Sequence, residues 1–217
     1  MNSYSWEGED ILVRKIMHDV YGIHKGFYVD VGSHHPFNLS NTALLYEEGW
    51  RGINIDAMPE SMKLFDEHRP QDINLELAVG RVQENSKQCF YIFDDPALNG
   101  FLDNETVNSH IARNIKLLRK VGISLISINA ILLEYASNKS IDVLNIDIEG
   151  LDFDVLNDLD MEVFRPKLII TETLGADFLD DVTKSKTFSL LSENEYGLFS
   201  RLHYSTIYAC RKQFPKK

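Results

Sequence analysis

The sequence contains little cysteine, little positive charge and no long apolar run. Cys89 and Cys210 are the only cysteines in 217 residues, which excludes a disulfide framework and a cysteine zinc cluster. No apolar stretch approaches the roughly 18–20 residues that are needed to cross a membrane, and the acidic N-terminus lacks a signal-peptide core. From these absences we expect a protein that has no membrane span and resides in the cytoplasm.

Acidic residues outnumber basic residues by 33 to 22, which gives a formal net charge of −11 at pH 7. The phosphate backbone of a nucleic acid would repel such a chain, so we expect a small or neutral substrate and neither DNA nor RNA as a partner. A hydrophobic content of 44% supplies a sizeable core, and the length fits one domain over residues 1–217. The composition leaves the oligomeric state open.

Short apolar runs rich in valine, isoleucine and leucine alternate along the chain with helical patterns. This alternation predicts an α/β fold in which a central, mostly parallel sheet carries helices on both faces. The last part of the chain, residues 196–210, predicts an antiparallel hairpin at the edge of the sheet. The predicted strands of the parallel part span residues 26–32, 51–56, 73–80, 141–148 and 167–172.

The helical patterns carry start and stop signals. Residues 9–21 place apolar side chains at helical spacing, and Ser40 is a typical N-cap for a helix that ends at Glu48, before a glycine. Pro59 is expected to open the next helix. Residues 152–159 predict a short helix after the fourth strand.

A long insertion separates the third and fourth predicted strands. It holds a candidate strand at 88–93 and a basic amphipathic pattern at 110–120 that predicts a helix. Long loops at the carboxyl ends of strands often form part of a binding site, so residues 94–125 are predicted to be a lid or a wall for the substrate. A connection without a function is the alternative.

Most of the predicted strands end in a carboxylate or a small residue. In open parallel sheets, ligands bind beyond the carboxyl ends of the strands, so these side chains are candidates for one shared site. They are Asp30, Gly32 and Ser33 on the first strand, Asp56 on the second, Ala78 on the third, Asp147 and Glu149 on the fourth, and Glu172 on the fifth.

The loop after the first strand, residues 30–36, holds a single glycine. A dinucleotide site needs several glycines at fixed spacing so that the backbone approaches a pyrophosphate, so this loop disfavours a nicotinamide-dependent oxidoreductase. Asp56 lies where a carboxylate can accept hydrogen bonds from both hydroxyls of an adenosine ribose. S-adenosylmethionine, an adenosine ligand without phosphates, meets both conditions, and a helix N-terminus suits its carboxylate.

Several sequence blocks occur in one order over most of the chain. Among them are Tyr-Val-Asp-Val-Gly-Ser-His-His-Pro at 28–36, Gly-Trp-Arg-Gly-Ile-Asn-Ile-Asp-Ala at 49–57 and Asp-Val-Leu-Asn-Ile-Asp-Ile-Glu-Gly at 142–150; the others span residues 4–10, 40–42, 69–70, 155–156 and 164–172. Together these blocks resemble FkbM-type methyltransferases of the class I, S-adenosylmethionine-dependent superfamily. The resemblance implies a Rossmann-like fold and methyl transfer to a hydroxyl group of a sugar, a glycan or a natural product.

The resemblance also implies which residues contact the cofactor. Asp30, Gly32 and Ser33 are implied to line its methionine portion, with Asn41 at the amino-acid tail. Asp56 is implied to hold the ribose, Ala57 and Met58 to lie near the adenine, and Ala78 and Val79 to flank it. The His34-His35 pair stands where many members of the family have Asn-x-Gly, so the group that replaces the usual asparagine stays open.

Methyl transfer to a hydroxyl requires a group that removes the proton of the attacking oxygen. Asp147 is the first candidate, because the end of the fourth strand faces the methyl group in this fold class. Glu149, His34 and His35 are the other candidates. Asp147 and Glu172 are also candidate ligands for Mg²⁺ or Mn²⁺, since hard cations take oxygen ligands; a metal-independent enzyme is the alternative.

Two groups of residues have both a structural and a functional interpretation. Glu9 and Asp10 either reach the site or lie in the exposed first turn of a helix, and we favour the exposed turn. Tyr91, Phe93 and Phe101 either stack on sugar rings or pack in the core, and we favour the core.

The predicted function is therefore S-adenosylmethionine-dependent O-methylation of a hydroxyl group of a sugar or glycan. O-methylation of a small natural product is one alternative, and a non-catalytic module that binds S-adenosylmethionine is another.

Overall fold

The computed structural model describes residues 2–81, 87–148, 150–173 and 175–216. Its strands are β1 (Phe27–Val31), β2 (Arg51–Asp56), β3 (Ile73–Glu76), β4 (Ala78–Val79), β5 (Gln88–Phe93), β6 (Leu117–Ile123), β7 (Leu125–Ile126), β8 (Val143–Ile146), β9 (Leu168–Glu172), β10 (Tyr196–Arg201) and β11 (Ser205–Cys210). Its α-helices are α1 (Glu9–Lys15), α2 (Ala43–Glu47), α3 (Met62–His68), α4 (Asn104–Ala112), α5 (Ile128–Tyr135), α6 (Asp152–Asp158), α7 (Leu179–Val182) and α8 (Lys186–Glu193).

Seven strands form the central sheet, in the order β10-β11-β9-β8-β1-β2-β3. The five strands from β9 to β3 run parallel, and β11 and β10 complete the edge as an antiparallel hairpin. Helices α1 and α2 pack on one face of the sheet, while α5, α6 and α8 pack on the other. The predicted α/β architecture with a C-terminal edge hairpin is confirmed.

Strand β1 shows why the central strands are apolar on both faces. Val29 and Val31 pack into the core under α5 and α6, whereas Tyr28 packs with Trp50 on the opposite face. Side chains alternate between the two faces of a strand, so Asp30 shares the face of Tyr28. Asp30 is consequently buried, with 1% of its surface exposed.

The third apolar run does not form the single strand that was predicted over residues 73–80. Strand β3 ends at Glu76, and the amide of Leu77 then donates to the carbonyl oxygen of Asp56 at 3.0 Å. The chain leaves the central sheet there, and Ala78–Val79 pairs with β7 in a separate two-stranded sheet.

The prediction of a basic helix over residues 110–120 is wrong. Helix α4 ends at Ala112, Asn114 adopts a left-handed conformation with φ of 64°, and β6 then pairs with β5 in an antiparallel hairpin. Asparagine tolerates the left-handed region, which allows the chain to reverse. Periodicity over such a short segment does not separate a helix from a strand.

Smaller differences concern the helix boundaries. Helix α2 begins at Ala43. The side-chain oxygen of Ser40, three residues earlier, accepts a hydrogen bond from the Ala43 amide at 3.1 Å. Helix α3 begins at Met62, after the position predicted from Pro59. None of the helices in the described ranges has the length and the apolar content that crossing a bilayer requires.

Candidate active site

A cavity of about 940 Å³ lies at the carboxyl ends of the parallel strands. Its wall includes Val31 at the end of β1, Asp56 at the end of β2, Asp147 just after β8 and Glu172 at the end of β9. The volume is near the upper end of the roughly 300–1,000 Å³ that small-molecule sites occupy. Proteins with open parallel sheets bind their ligands at this edge, so the cavity is the candidate active site.

The turn after β1 brings two strand ends into direct contact. Gly32 has φ of 84°, and a Cβ atom at this position would lie 1.7 Å from the carbonyl oxygen of Asp147. The amides of Gly32 and Ser33 both donate to the carbonyl of Ile55, at 2.9 and 3.0 Å. Only glycine allows this approach, which places Asp147 beside the first loop and within the cavity wall.

Asp56 forms the polar end of the wall at β2. Its two carboxylate oxygens accept hydrogen bonds from the backbone amides of His34, at 2.9 Å, and Met58, at 2.7 Å. Burial is the main cause that raises the pKa of Asp56, and the two backbone hydrogen bonds oppose it. A carboxylate has about four acceptor positions, so Asp56 retains the capacity to bind a pair of hydroxyl groups.

Several predicted cofactor residues line this part of the cavity. They are Gly32, Asn41, Asp56, Ala57, Met58 and Val79. The structure places Asp30, Ser33 and Ala78 behind the wall, where all three are buried. For Asp30 and Ser33 this arrangement differs from the predicted contact with the methionine portion, and for Ala78 from the predicted contact with the adenine.

Asp30 supports the wall from behind. Its carboxylate accepts hydrogen bonds from Thr42 Oγ1 at 2.6 Å and from Asn145 Nδ2 at 2.8 Å. Asn145 Oδ1 in turn accepts a hydrogen bond from Asn41 Nδ2 at 2.9 Å, and Asn41 lines the cavity. Burial is the main cause that raises the pKa of Asp30, and the hydrogen bonds from Thr42 and Asn145 oppose it.

Arg69 is a fully buried cation to which the sequence analysis assigned no role. Its guanidinium donates to Thr42 Oγ1 at 2.9 Å, to Ser40 Oγ at 2.8 Å and to the carbonyl oxygen of Pro36. Its charge lowers the pKa of Asp30. Arg69 therefore ties the loop between β1 and α2 to the acidic group beneath it. The signal for it was the Arg69-Pro70 block, which takes part in the family resemblance.

The two histidines of the first loop both line the cavity. His35 Nδ1 accepts hydrogen bonds from the amides of Phe37, at 3.1 Å, and Asn38, at 3.0 Å. Burial is the main cause that lowers the pKa of His35, so the imidazole is neutral and its proton resides on Nε2. This tautomer favours a role as a hydrogen-bond donor, whereas the predicted role of proton acceptor for His34 and His35 stays a prediction.

Two of the predicted acid-base and metal residues line the cavity. Asp147 and Glu172 both line it, while Glu149 lies outside the described residues. In the described ranges no three His, Cys, Asp or Glu side chains are grouped to hold a metal ion, so the predicted Mg²⁺ or Mn²⁺ site at Asp147 and Glu172 has no support from a wider ligand cluster.

The N-terminal segment forms the far end of the cavity, opposite Asp56. Glu9 and Asp10 are buried, so the expectation of an exposed first turn is wrong. Glu9 lines the cavity and accepts a hydrogen bond from Ser205 Oγ at 2.7 Å. Asp10 accepts hydrogen bonds from the Tyr4 amide and the Ser3 hydroxyl. Both carboxylates serve to fold this segment against the sheet edge, which the local sequence pattern could not indicate.

The insertion between β4 and β8 supplies a further wall. Residues 95–99, Phe101 and Arg113 line the cavity, which supports the predicted wall function of 94–125, although a lid stays a prediction. Tyr91 and Phe93 pack in a small separate core, so core packing is confirmed for these two. Phe101 lines the cavity and packs edge-on against Phe90 at 5.0 Å between ring centroids.

Solved structures that resemble this chain are methyltransferases by name. One is a proposed RNA methyltransferase from Pyrococcus horikoshii, which matches with a TM-score of 0.45 and 11% identity over 93% of this chain and 80% of the other. Another is precorrin-6Y C5,15-methyltransferase from Geobacter metallireducens, with a TM-score of 0.41 and 11% identity over 92% and 84% of the two chains. Because both TM-scores are below 0.5, the fold is assigned from the strand order of the central sheet.

The sequence itself gives the stronger comparison. No curated protein matches the chain. Residues 30–196, however, match the methyltransferase FkbM domain family, and this range includes β2, β8, β9 and the carboxyl end of β1. The chain therefore belongs to the methyltransferase FkbM domain family, whose cofactor is S-adenosylmethionine.

Proposed function

We propose that this protein transfers the methyl group of S-adenosylmethionine to a hydroxyl group of a sugar or glycan. The observation that carries the proposal is the charge of the cavity wall. Among the described lining residues, Arg113 is the one lysine or arginine, against seven carboxylates: Glu7, Glu9, Asp56, Glu60, Asp95, Asp147 and Glu172. Such a wall disfavours phosphorylated acceptors and nucleic acids, whereas hydroxyl groups can donate hydrogen bonds to it.

The cavity has room for the cofactor and an acceptor side by side. β2 and β11 are four strand spacings apart in the sheet order, or roughly 19 Å at ~4.8 Å per strand. Asp56 lies at the β2 end, with Met58 and Val79 as apolar neighbours, and Ser205 lies at the β11 end. We assign the β2 end to the adenosine of the cofactor and the β11 end to the acceptor.

Asp147 is placed between the two ends and is our candidate for the general base. Bound S-adenosylmethionine supplies an electrophilic methyl group and leaves as S-adenosylhomocysteine. The carboxylate of Asp147 accepts the proton of the acceptor hydroxyl while the new C–O bond forms and the C–S bond breaks. Asn41 and His35 Nε2–H supply hydrogen-bond donors for the carboxylate of the methionine portion or for the acceptor oxygen.

The proposal is tested with a mass-spectrometric screen of neutral methyl glycosides, with glucose 6-phosphate as an anionic comparison, in the presence of S-adenosylmethionine. We expect at least one neutral glycoside to gain the mass of one methylene unit, with and without EDTA. Asp147→Asn should reduce transfer by at least ~10²-fold and leave the binding of S-adenosylhomocysteine unchanged. The exposed Asp154, on the helix that follows the same strand, provides the matched control Asp154→Asn.

The alternatives give different results in this screen. Binding of S-adenosylhomocysteine without transfer to any glycoside or natural-product hydroxyl would indicate a non-catalytic module. Transfer to a natural product but to no glycoside would refute the sugar assignment. A glycoside whose methylation is lost with EDTA would indicate a metal that the described residues do not account for.

A further inference from the structure

Trp6 lies on the wall of the cavity but is largely exposed to solvent. It shows 71% of its surface, whereas Trp50, the second tryptophan of the chain, is completely buried in the core. Tyr204, which also lines the cavity, is 43% exposed. Both aromatic side chains therefore combine a place on the cavity wall with an uncovered apolar surface that a ligand could contact, and they lie at the end of the cavity that we assign to the acceptor.

From this arrangement we infer that Trp6, together with Tyr204, forms the surface on which the ring of the acceptor sugar stacks. The inference rests on the proposed function and adds to it the residues that select the acceptor. A sugar ring has an apolar face of C–H groups and an edge of hydroxyls, and an aromatic ring covers such a face while polar groups bind the edge. Glu9, which accepts a hydrogen bond from Ser205, and Glu172, which lies opposite Ser205 in the pairing of β9 with β11, are two carboxylates at this end of the wall.

The backbone that carries Trp6 is held in place from both sides. Glu7, the next residue, accepts hydrogen bonds from the amides of Tyr204, at 2.9 Å, and Ser205, at 3.2 Å. The Glu7 amide donates to Glu9 Oε2 at 2.8 Å. On the other side, Asp10 binds the hydroxyl of Ser5 at 2.9 Å. Trp6 is therefore presented by an ordered segment, and its position relative to the turn that carries Tyr204 is set by Glu7.

This arrangement has a consequence for binding. A segment whose backbone is already fixed loses less conformational freedom when a ligand binds to it. The backbone of the stacking surface is thus set before the acceptor arrives, and Glu7 acts as a positioning residue. Neither residue belongs to the part of the wall assigned to the adenosine, so the binding of the cofactor is independent of them.

The first test is steady-state kinetics with the neutral methyl glycoside that the wild-type enzyme methylates. Trp6→Ala is expected to raise the KM for the glycoside by at least about tenfold, with kcat and the Kd of S-adenosylhomocysteine unchanged. Trp6→Phe should restore most of the loss because it keeps an aromatic face. Glu7→Ala should raise KM in the same way. Phe178, which is 75% exposed and outside the cavity wall, provides the control Phe178→Ala with unchanged kinetics.

The second test uses the tryptophan itself as the reporter. Because Trp50 is buried, acrylamide quenching of the fluorescence of the protein saturated with S-adenosylhomocysteine reports mainly on Trp6. Addition of the methylated glycoside should protect the fluorescence from acrylamide in the wild type. In Trp6→Ala, the remaining fluorescence should show no protection.

Methylation of a glycoside and stacking of its ring on Trp6 are tested by separate measurements. If S-adenosylhomocysteine binds but no neutral glycoside is methylated, the proposed function is refuted and the inference falls with it. If a glycoside is methylated while Trp6→Ala leaves KM unchanged, or while the glycoside gives no protection from acrylamide, the inference alone is refuted.

Discussion

The pH dependence of stability provides a sharp test of the loop after β8, because the half-buried Asp152 lies at its end. Asp152 is the first residue of α6, and its Oδ1 atom is buried without a hydrogen-bond partner among the described residues. Burial is the main cause that raises its pKa from the ordinary 3.8 to about 6, and the backbone of Asp152, Ile148 and Gly150 opposes this rise. The loop lies between Asp147, our candidate base, and α6.

The size of the effect follows from the pKa. A tenfold change in proton affinity corresponds to about 1.4 kcal/mol, so the rise from 3.8 to about 6 corresponds to roughly 3 kcal/mol. The folded state binds this proton more tightly than the unfolded state does. The contribution of Asp152 therefore favours folding below pH 3.8, and this advantage is lost as the pH rises through about 6. The whole change is one of roughly 3 kcal/mol, so relative to the protonated carboxyl the ionised carboxylate costs the fold that amount above about pH 6.

Asp152→Asn resembles the protonated carboxyl at every pH. Its amide oxygen can accept the backbone hydrogen bonds, and its NH₂ group can occupy the position of the unpartnered Oδ1. We expect the free energy of unfolding, from urea denaturation, to exceed that of the wild type by roughly 1–3 kcal/mol at pH 7.5, since loss of the charge at the helix N-terminus offsets up to ~1 kcal/mol. The difference should vanish near pH 4.

The control is Asp154→Asn, which removes an exposed carboxylate from the same first turn. It loses the interaction with the helix N-terminus but relieves no burial, so it should be neutral or slightly destabilising at pH 7.5. A stability difference for Asp152→Asn that is the same at pH 4 and pH 7.5 would refute the reasoning. A lower stability than the wild type at pH 7.5 would refute it as well.

Two further substitutions test the cavity wall and its support. Asp56→Ala should raise the Kd of S-adenosylhomocysteine, measured by calorimetry, at least tenfold, which corresponds to about 1.4 kcal/mol for lost charge-assisted hydrogen bonds. The control is Glu67→Ala, which changes an exposed carboxylate on the neighbouring helix. Equal Kd values for the two variants would contradict the ribose assignment. Arg69→Met should lower the free energy of unfolding by about 3 kcal/mol or more, because it leaves Asp30 buried without its compensating cation. Urea denaturation measures this loss. Arg69→Lys, which keeps a positive charge, should recover part of the lost stability. If Arg69→Met lowers the free energy of unfolding by less than about 1 kcal/mol, Asp30 needs no such compensation.

The strand ends that line the cavity were largely predictable, because their determinants are local in sequence. The apolar run before Asp56 predicts a strand, and the parallel arrangement places the strand ends at one edge. Gly32 and Asp147 follow from the same rule. The rule does not specify the direction of each side chain, however, and alternation along β1 directs Asp30 behind the wall, where it binds Thr42 and Asn145.

The residues that escaped prediction depend on contacts between distant parts of the chain. Nothing in the residues around Arg69 indicates that its side chain is buried, because its position depends on the contact with Thr42. Glu9 was expected in an exposed turn, but it is buried and binds Ser205. Trp6 belongs to the block at residues 4–10, but the block does not indicate where its side chain lies, since its place on the cavity wall follows from the hydrogen bonds between Glu7 and the turn before β11. Strand periodicity and turn chemistry are properties of neighbouring residues and can be read in order along the chain. The partner of a buried charge or of an exposed ring is chosen by three-dimensional packing, which no stretch of neighbouring residues encodes alone.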